Sequence, residues 1–319
     1  MGTQSQRIEN LITYLDKMEL TFNHSSESSK RDEILEALRL EIIEVLKIAF
    51  IEGDRTVRRS SIYGLSKIGL DQSSQFFMDA LNDPDEHVRG WAAEALGRIK
   101  DPKSIISLIK ALADDNHYVC FNVASGLKQF TPSQIIPQLI NALEDQQPLI
   151  RKRVCKLLGE FGVLSVTNSL IAALKDEDQG VRYEAAEALR KLKDPLSIPS
   201  LISALNDESH DVREVAVMAL GTFGDERAIE PLVGMLIEQK NHRHACLDSL
   251  RNICGEENLE PLFELIHSSK KMINETSALI LNKIRKKSNL QNATSQEWNM
   301  TIPQTTRLIF KNSSYLKNQ

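Results

Sequence analysis

The side chains of this chain that could bind or react are few and scattered. Tyr63, Trp91, Phe121 and Tyr183 are aromatics in a sequence that is only 5% aromatic. Lys152, Arg153 and Lys156 form a cationic cluster, and Glu94, Glu184 and Glu187 supply carboxylates. Flat apolar walls flanked by fixed charges make a binding surface. His242, His244 and Cys246 invite a metal reading, but on a helix His242 and Cys246 share a face that His244 leaves. Two ligands are too few, so no metal site is expected. His87, His117 and His210 each stand before a helix. His117 and His210 lie three units apart, roughly 30 Å, and are read as turn residues. The four cysteines form no close pairs of metal-finger type. Cys155 and Cys246 align with columns of buried alanine, and Cys120 is the one expected to be partly exposed. No phosphate loop, nucleophile elbow or dinucleotide-binding glycine pattern occurs. Catalytic residues therefore stay unassigned.

The elements that position these residues are repeated. Ala-Leu-x-Asp begins at Ala80, Ala111, Ala142, Ala173 and Ala204, each start 31 residues after the last. A β-branched residue followed by arginine keeps the same register at Val57-Arg58, Val88-Arg89, Ile150-Arg151, Val181-Arg182 and Val212-Arg213, with Val119-Cys120 filling the gap. The pattern fades outward through Ala49–Glu52 on one side, and through Arg243 and Met272 on the other. Each unit carries two stripes of helical period, such as Ile105, Leu108, Ile109 and Leu112, then Val88, Ala92, Ala95, Leu96 and Ile99. No hairpin can bury its stripe alone, so neighbours bury it jointly. The expected fold is all-α, a right-handed α-solenoid of about eight hairpins of ~31 residues over 36–285. Gly97, Gly159, Gly221 and Gly224 are expected at ends of second helices.

Two flanks complete the chain. Residues 1–35 read as a capping helix, with a stripe through Ile8, Leu11, Ile12, Leu15 and Met18, and a polar linker from Asn23. Residues 286–319 form a polar, basic tail that keeps Trp298, Ile302, Leu308, Ile309 and Phe310.

The recurring acids and arginines are expected to build a structural ladder: Asp83, Arg89, Asp114, Asp145, Arg151, Asp176, Arg182, Asp207 and Arg213. The pairs foreseen are Asp83 with Arg89 and Asp176 with Arg182, and each Asp can cap a helix. Function should lie where the units differ. Second helices are expected to line the concave side. There, positions following the anchor arginine bring forward Arg59, Tyr63 and Lys67, then Gly90, Trp91 and Glu94, then Phe121. Next come Lys152, Arg153 and Lys156, then Tyr183, Glu184 and Glu187.

The stretches "VRGWAAEALGRIKD" from Val88 and "VRYEAAEALRKLKD" from Val181 resemble short bacterial HEAT repeats of the type named after phycobilisome lyases. Two enzyme groups use this repeat. Deoxyhypusine hydroxylases place His-Glu pairs after the anchor to hold two irons. Here those places hold Gly90-Trp91, Phe121-Asn122, Lys152-Arg153, Tyr183-Glu184 and Glu214-Val215, and no His-Glu dipeptide exists, so that activity is set aside. Resemblance to phycobilin lyases implies a groove that holds an open-chain tetrapyrrole, the transferred bilin being the one cofactor-like ligand. The partner would be a phycobiliprotein subunit whose cysteine thiolate attacks the bilin, and a hetero-oligomer with a related lyase subunit is one arrangement the resemblance allows. Trp91 and Phe121 would wall the bilin, Lys152, Arg153 and Lys156 would meet its propionates, and Glu94, Glu184 and Glu187 its ring nitrogens. The alternative is a non-enzymatic scaffold that binds a partner protein on its concave face.

The formal net charge of -5 argues against a general nucleic-acid partner. No run of eighteen apolar residues crosses a membrane. The first twenty residues lack a signal-peptide core, and Gln6 stands where a myristoylation signal needs Ser or Thr. A cytoplasmic location is the expectation.

Overall fold

The computed structural model describes residues 28–68, 73–238 and 242–254, together with positions 10 and 13. The chain divides into two compact units, Met1–Phe161 and Gly162–Gln319. Among the described residues there are fourteen α-helices and no strand. They pair as seven hairpins, first helix then second.

The first unit holds four hairpins: α1 (Ser28–Glu52) with α2 (Arg55–Ile68), α3 (Ser74–Ala80) with α4 (Glu86–Ile99), α5 (Ile105–Ala111) with α6 (His117–Leu127), and α7 (Pro132–Ala142) with α8 (Pro148–Phe161). The second unit holds three: α9 (Thr167–Ala173) with α10 (Gln179–Leu192), α11 (Ile198–Ala204) with α12 (His210–Phe223), and α13 (Ile229–Glu238) with α14 (Arg243–Ile253). The hairpin expected around Met272 and the tail from 286 lie outside the described residues. α1 starts at Ser28, so it runs through the boundary expected at 36 and takes in the end of the polar run.

Small residues let the second helices pack closely. Ala92, Ala93 and Ala95 of α4 and Ala185, Ala186 and Ala188 of α10 are buried, among aliphatics such as Leu96, Leu158 and Leu189. Gly97 extends this logic. A Cβ there would strike the Cα of Gly126 on α6, so the two backbones touch. Gly97, Gly159 and Gly221 thus lie inside their helices and not at the ends expected for them. Gly224 does close α12 in the left-handed region, at φ 70°. Lys100 and Lys193 take the same role after α4 and α10, at φ 58° and 54°.

The recurring Asp shapes the turn between helices. Its Oδ1 accepts the backbone N–H two residues on: Asp85 to Asp83 at 2.8 Å, Asn116 to Asp114 at 2.8 Å, Ser209 to Asp207 at 2.8 Å. It is not the cap. The cap is the residue two positions later, where Asp85, Asn116 and Asp178 accept the first free N–H groups of α4, α6 and α10.

The ladder runs one hairpin out of the register expected for it. Arg89 reaches forward to the Asp114 carboxylate of the following hairpin, at 2.5 Å. Arg58 likewise takes Asp83 at 2.9 Å, and Arg182 takes Asp207 at 2.8 Å. The other edge of each guanidinium turns back to its own hairpin. Arg89 donates to the backbone carbonyl of Asp83, Arg151 to that of Asp145 and Arg182 to that of Asp176, each at 2.8 Å. The planar fork of five donors makes this double duty possible. Each rung ties one turn to the next.

Candidate functional site

The ten side chains singled out for ligand binding divide between the units, seven in the first and three in the second. In the first unit, α2, α4 and α6 present an aromatic row. Lys67 Nζ lies 5.4 Å from the centre of the Tyr63 ring. Tyr63 meets Trp91 at 5.3 Å between ring centroids. Trp91 meets His87 at 5.8 Å, edge to face, and His87 meets Tyr118 at 5.6 Å. The row crosses from one second helix to the next, and Gly90 makes room for it. A Cβ at Gly90 would strike the Tyr118 ring. Phe121 stands further along α6 with 73% of its surface exposed, a large apolar area for a lone ring.

His87 and Tyr118 were not among the sequence candidates. Both sit immediately before the β-branched anchor, a place read as turn. The signal was available: Tyr118 is an exposed aromatic in the first turn of its helix, and Gly90 is the one glycine at a place where the other units carry larger residues. Burial, then the charge of Glu94, raises the Tyr118 phenol above its ordinary value.

Below the row lies a charged knot. Arg55 and Arg59 both grip Asp85, at 2.5 and 2.7 Å, and both reach Glu86. Asp85 is buried, which opposes its charge. The hydrogen bonds from Arg59, Arg55 and the N–H groups of Val88 and His87 nevertheless hold it well below the usual carboxylate range. Arg59 is therefore a tie between hairpins. Asp85, Glu86 and His87 also bring three metal-capable atoms within 4.8 Å, but the two guanidiniums already occupy the carboxylates.

The cationic cluster on α8 does not act as a set. Arg153 Nη1 donates to the backbone carbonyls of Leu112 and Asp114, the latter at 2.8 Å. In this hairpin Cys120 replaces the anchor arginine, and its Sγ also meets the Asp114 carbonyl, at 3.0 Å. Arg153 thus takes over the turn that a residue at 120 would otherwise hold. Lys152 is half-buried and Lys156 exposed on the same helix. Cys120 is partly covered, and burial raises its thiol.

The second unit is acidic where the first is aromatic. Tyr183 is half-buried, and its phenol is raised by burial, then by Glu187, Glu184, Asp211 and Glu214. Glu187 is held bidentately by Arg190 at 2.6 Å through both oxygens. His242 does not converge with His244 and Cys246. It is buried at the start of α14, stacks on His210 at 4.1 Å, and accepts from Arg213 Nε at 3.3 Å. His210 is thus a stacking partner as well as a turn residue. His244 is exposed, and Cys246 is buried with its thiol pushed up to about 12.

Hairpins repeated in register, joined by buried alanine faces and by arginine rungs, define an α-helical repeat protein. The model of HEAT repeats matches residues 43–128, 136–214 and 167–242. That is more than half of the chain, which belongs to the HEAT-repeat family. Among solved structures, it is similar to an engineered protein at 18% identity, over 80% of this chain and 81% of the other, with TM-score 0.41. Human deoxyhypusine hydroxylase in complex with glycerol is similar at 19% identity, over 79% and 98%, with TM-score 0.32. Importin beta is similar at 15% identity, over 81% of this chain and 44% of that one, with TM-score 0.48. No protein of curated function matches the chain in sequence. Among the described residues, no helix is long and apolar enough to cross a membrane.

Proposed function

We propose that this HEAT-repeat chain is a scaffold that grips a partner protein through the aromatic row of its first unit. The observation that carries the reading is the run Tyr63, Trp91, His87 and Tyr118, together with the exposed Phe121. Hairpin stacking needs aliphatic and alanine faces, which the core already has, so an aromatic row along the second helices serves something else. Aromatic anchors with nearby cations are typical centres of protein interfaces. Lys67, Lys152 and Lys156 favour a partner segment carrying carboxylates among apolar side chains.

The test begins with a photo-crosslinking residue at position 121, which identifies the partner. Its affinity for the wild type and for the Trp91→Ala/Phe121→Ala variant is then measured with purified proteins. A loss of at least about tenfold, with unchanged thermal unfolding, is expected for hot-spot residues. Equal affinities would reject the row as the binding surface.

The finer reading, a bilin lyase or bilin chaperone serving a phycobiliprotein in the cytoplasm, rests on the same row. Flat faces at Tyr63 and Trp91 beside lysines suit a tetrapyrrole. Two of its proposed contacts are already engaged, since Arg153 holds a turn and Glu187 holds Arg190. Zinc-enhanced fluorescence of an added bilin on the protein, abolished in Trp91→Ala/Lys152→Ala, would support it. Fluorescence that is absent, or unchanged in the variant, would discard it and leave the scaffold reading standing.

A further inference from the structure

The aromatic row has a spacing, and the spacing selects a ligand backbone. Its rings stand 5.3, 5.8 and 5.6 Å apart, so rings two places along are separated by at most twice such a step. The second helices that carry them pack about 8–10 Å apart. One turn of a polyproline II helix, three residues long, advances about 9 Å. An extended strand repeats each side about every 7 Å and needs an open backbone edge, which no helix offers it. An α-helical ligand matches the step with residues seven apart, but its carbonyls are bonded within the helix.

The row presents donors that suit free carbonyls. No described residue accepts from the Trp91 indole N–H or the Tyr63 hydroxyl, and neither group is sealed from water. Polyproline II carbonyls have no partners of their own, so they accept such bonds, and the stiff backbone loses little entropy on docking. Tyr63 and Trp91 are tilted by 59°, and His87 and Tyr118 by 38°, which opens one notch in each pair. Lys67 marks the Tyr63 end with a cation, and Phe121 extends the other end. Building on the scaffold function, we infer that the row takes a proline-rich partner segment in the polyproline II conformation. One proline lies between Tyr63 and Trp91, the next, three residues along, between His87 and Tyr118, and an acidic residue sits beside Lys67.

Fluorescence anisotropy on the full chain tests this with labelled synthetic peptides. The probe has glutamate, two prolines three residues apart, and leucine three residues beyond, made in both chain directions. The control has the same composition with its prolines adjacent. In at least one direction the spaced peptide should bind at least tenfold more tightly than the control. Tyr63→Phe/Trp91→Phe keeps both rings and removes both donors. It should weaken that binding at least about fivefold with unchanged thermal unfolding. Equal binding of spaced and control peptides, including none by either, overturns the inference, as does binding that Tyr63→Phe/Trp91→Phe leaves unchanged. A partner that weakens on Trp91→Ala/Phe121→Ala, yet is not displaced by the spaced peptide, overturns it while leaving the scaffold function standing.

Discussion

Among the described residues, one anchor place in each unit departs from the arginine–aspartate rung, and the two places are held by different chemistry. In the first unit Cys120 stands at the anchor, and Arg153 reaches back from the following second helix to the Asp114 carbonyl. In the second unit Arg213 keeps its backward bond to the Asp207 carbonyl at 2.7 Å, while its forward edge ends on the His242 imidazole. The first repair uses a cation that stays charged at every accessible pH. The second uses an imidazole, a group whose ordinary value lies near neutrality and is lowered here by burial, then by His210 and Arg213. A repeat can therefore lose its signature residue and keep its geometry, and the substitute decides which conditions the joint tolerates.

The largest effect should come from an intact rung. Arg182 and Asp207 have side chains only 7% and 10% exposed. Removing one partner strands the other charge, so Arg182→Ala should cost about 3–5 kcal/mol in chemical denaturation. A loss below about 1 kcal/mol would mean the rungs are ornamental. The borrowed arginine should matter somewhat less. Arg153→Ala leaves two carbonyls without their charged donor, for about 1.5–3 kcal/mol, against less than about 0.5 kcal/mol for its exposed neighbour Lys156→Ala. Adding Cys120→Arg to Arg153→Ala should recover most of the loss, because the residue at 120 regains the anchor's role. Failure to recover would show that the Arg153 bonds are incidental. Gly97→Ala comes next. Helix propensity gains about 1 kcal/mol, but the new methyl meets the Gly126 backbone, so a net loss of up to about 2 kcal/mol is expected in thermal unfolding.

The comparison also marks what the sequence discloses. Hairpins, their period and their buried faces were legible, because Ala-Leu-x-Asp and the anchor arginine hold one phase across many copies. The partner of each arginine was not. Asp83 and Asp114 lie six residues before and 25 residues after Arg89, and both are within reach of a long guanidinium. Only packing decides that the near residue offers its carbonyl and the far one its carboxylate. Likewise, Lys152, Arg153 and Lys156 look alike in a list of basic residues. That Arg153 is spent on a turn follows from Cys120 one hairpin earlier, a compensation that becomes visible only when the helices are stacked. The aromatic row was half legible: Tyr63 and Trp91 follow the anchor arginine, whereas His87 and Tyr118 precede the β-branched anchor, three residues before Gly90 and Phe121.

The smallest expected effect is the most discriminating, since it separates the two repairs by pH alone. Burial, the neighbouring His210 and the charge of Arg213 all lower the His242 value, with Glu214 opposing. A histidine with a lowered value in the fold binds fewer protons there than in the unfolded chain, so its contribution is fully present above the ordinary value near 6.5. It is lost as pH falls below that value toward the lower, folded one. Protonation would also set a second cation against Arg213 and remove the lone pair it donates to. Hydrogen exchange of α14 should therefore quicken between pH 7 and 5.5, relative to that of α6, whose joint rests on Arg153. The paired carboxylates Asp85 and Asp114 have lowered values, so their contributions persist until pH drops below the ordinary carboxylate range and do not enter this window. His242→Gln keeps a neutral acceptor and should flatten the α14 response. An equal response in α6 and α14, or an unchanged one in His242→Gln, would place the sensitivity elsewhere.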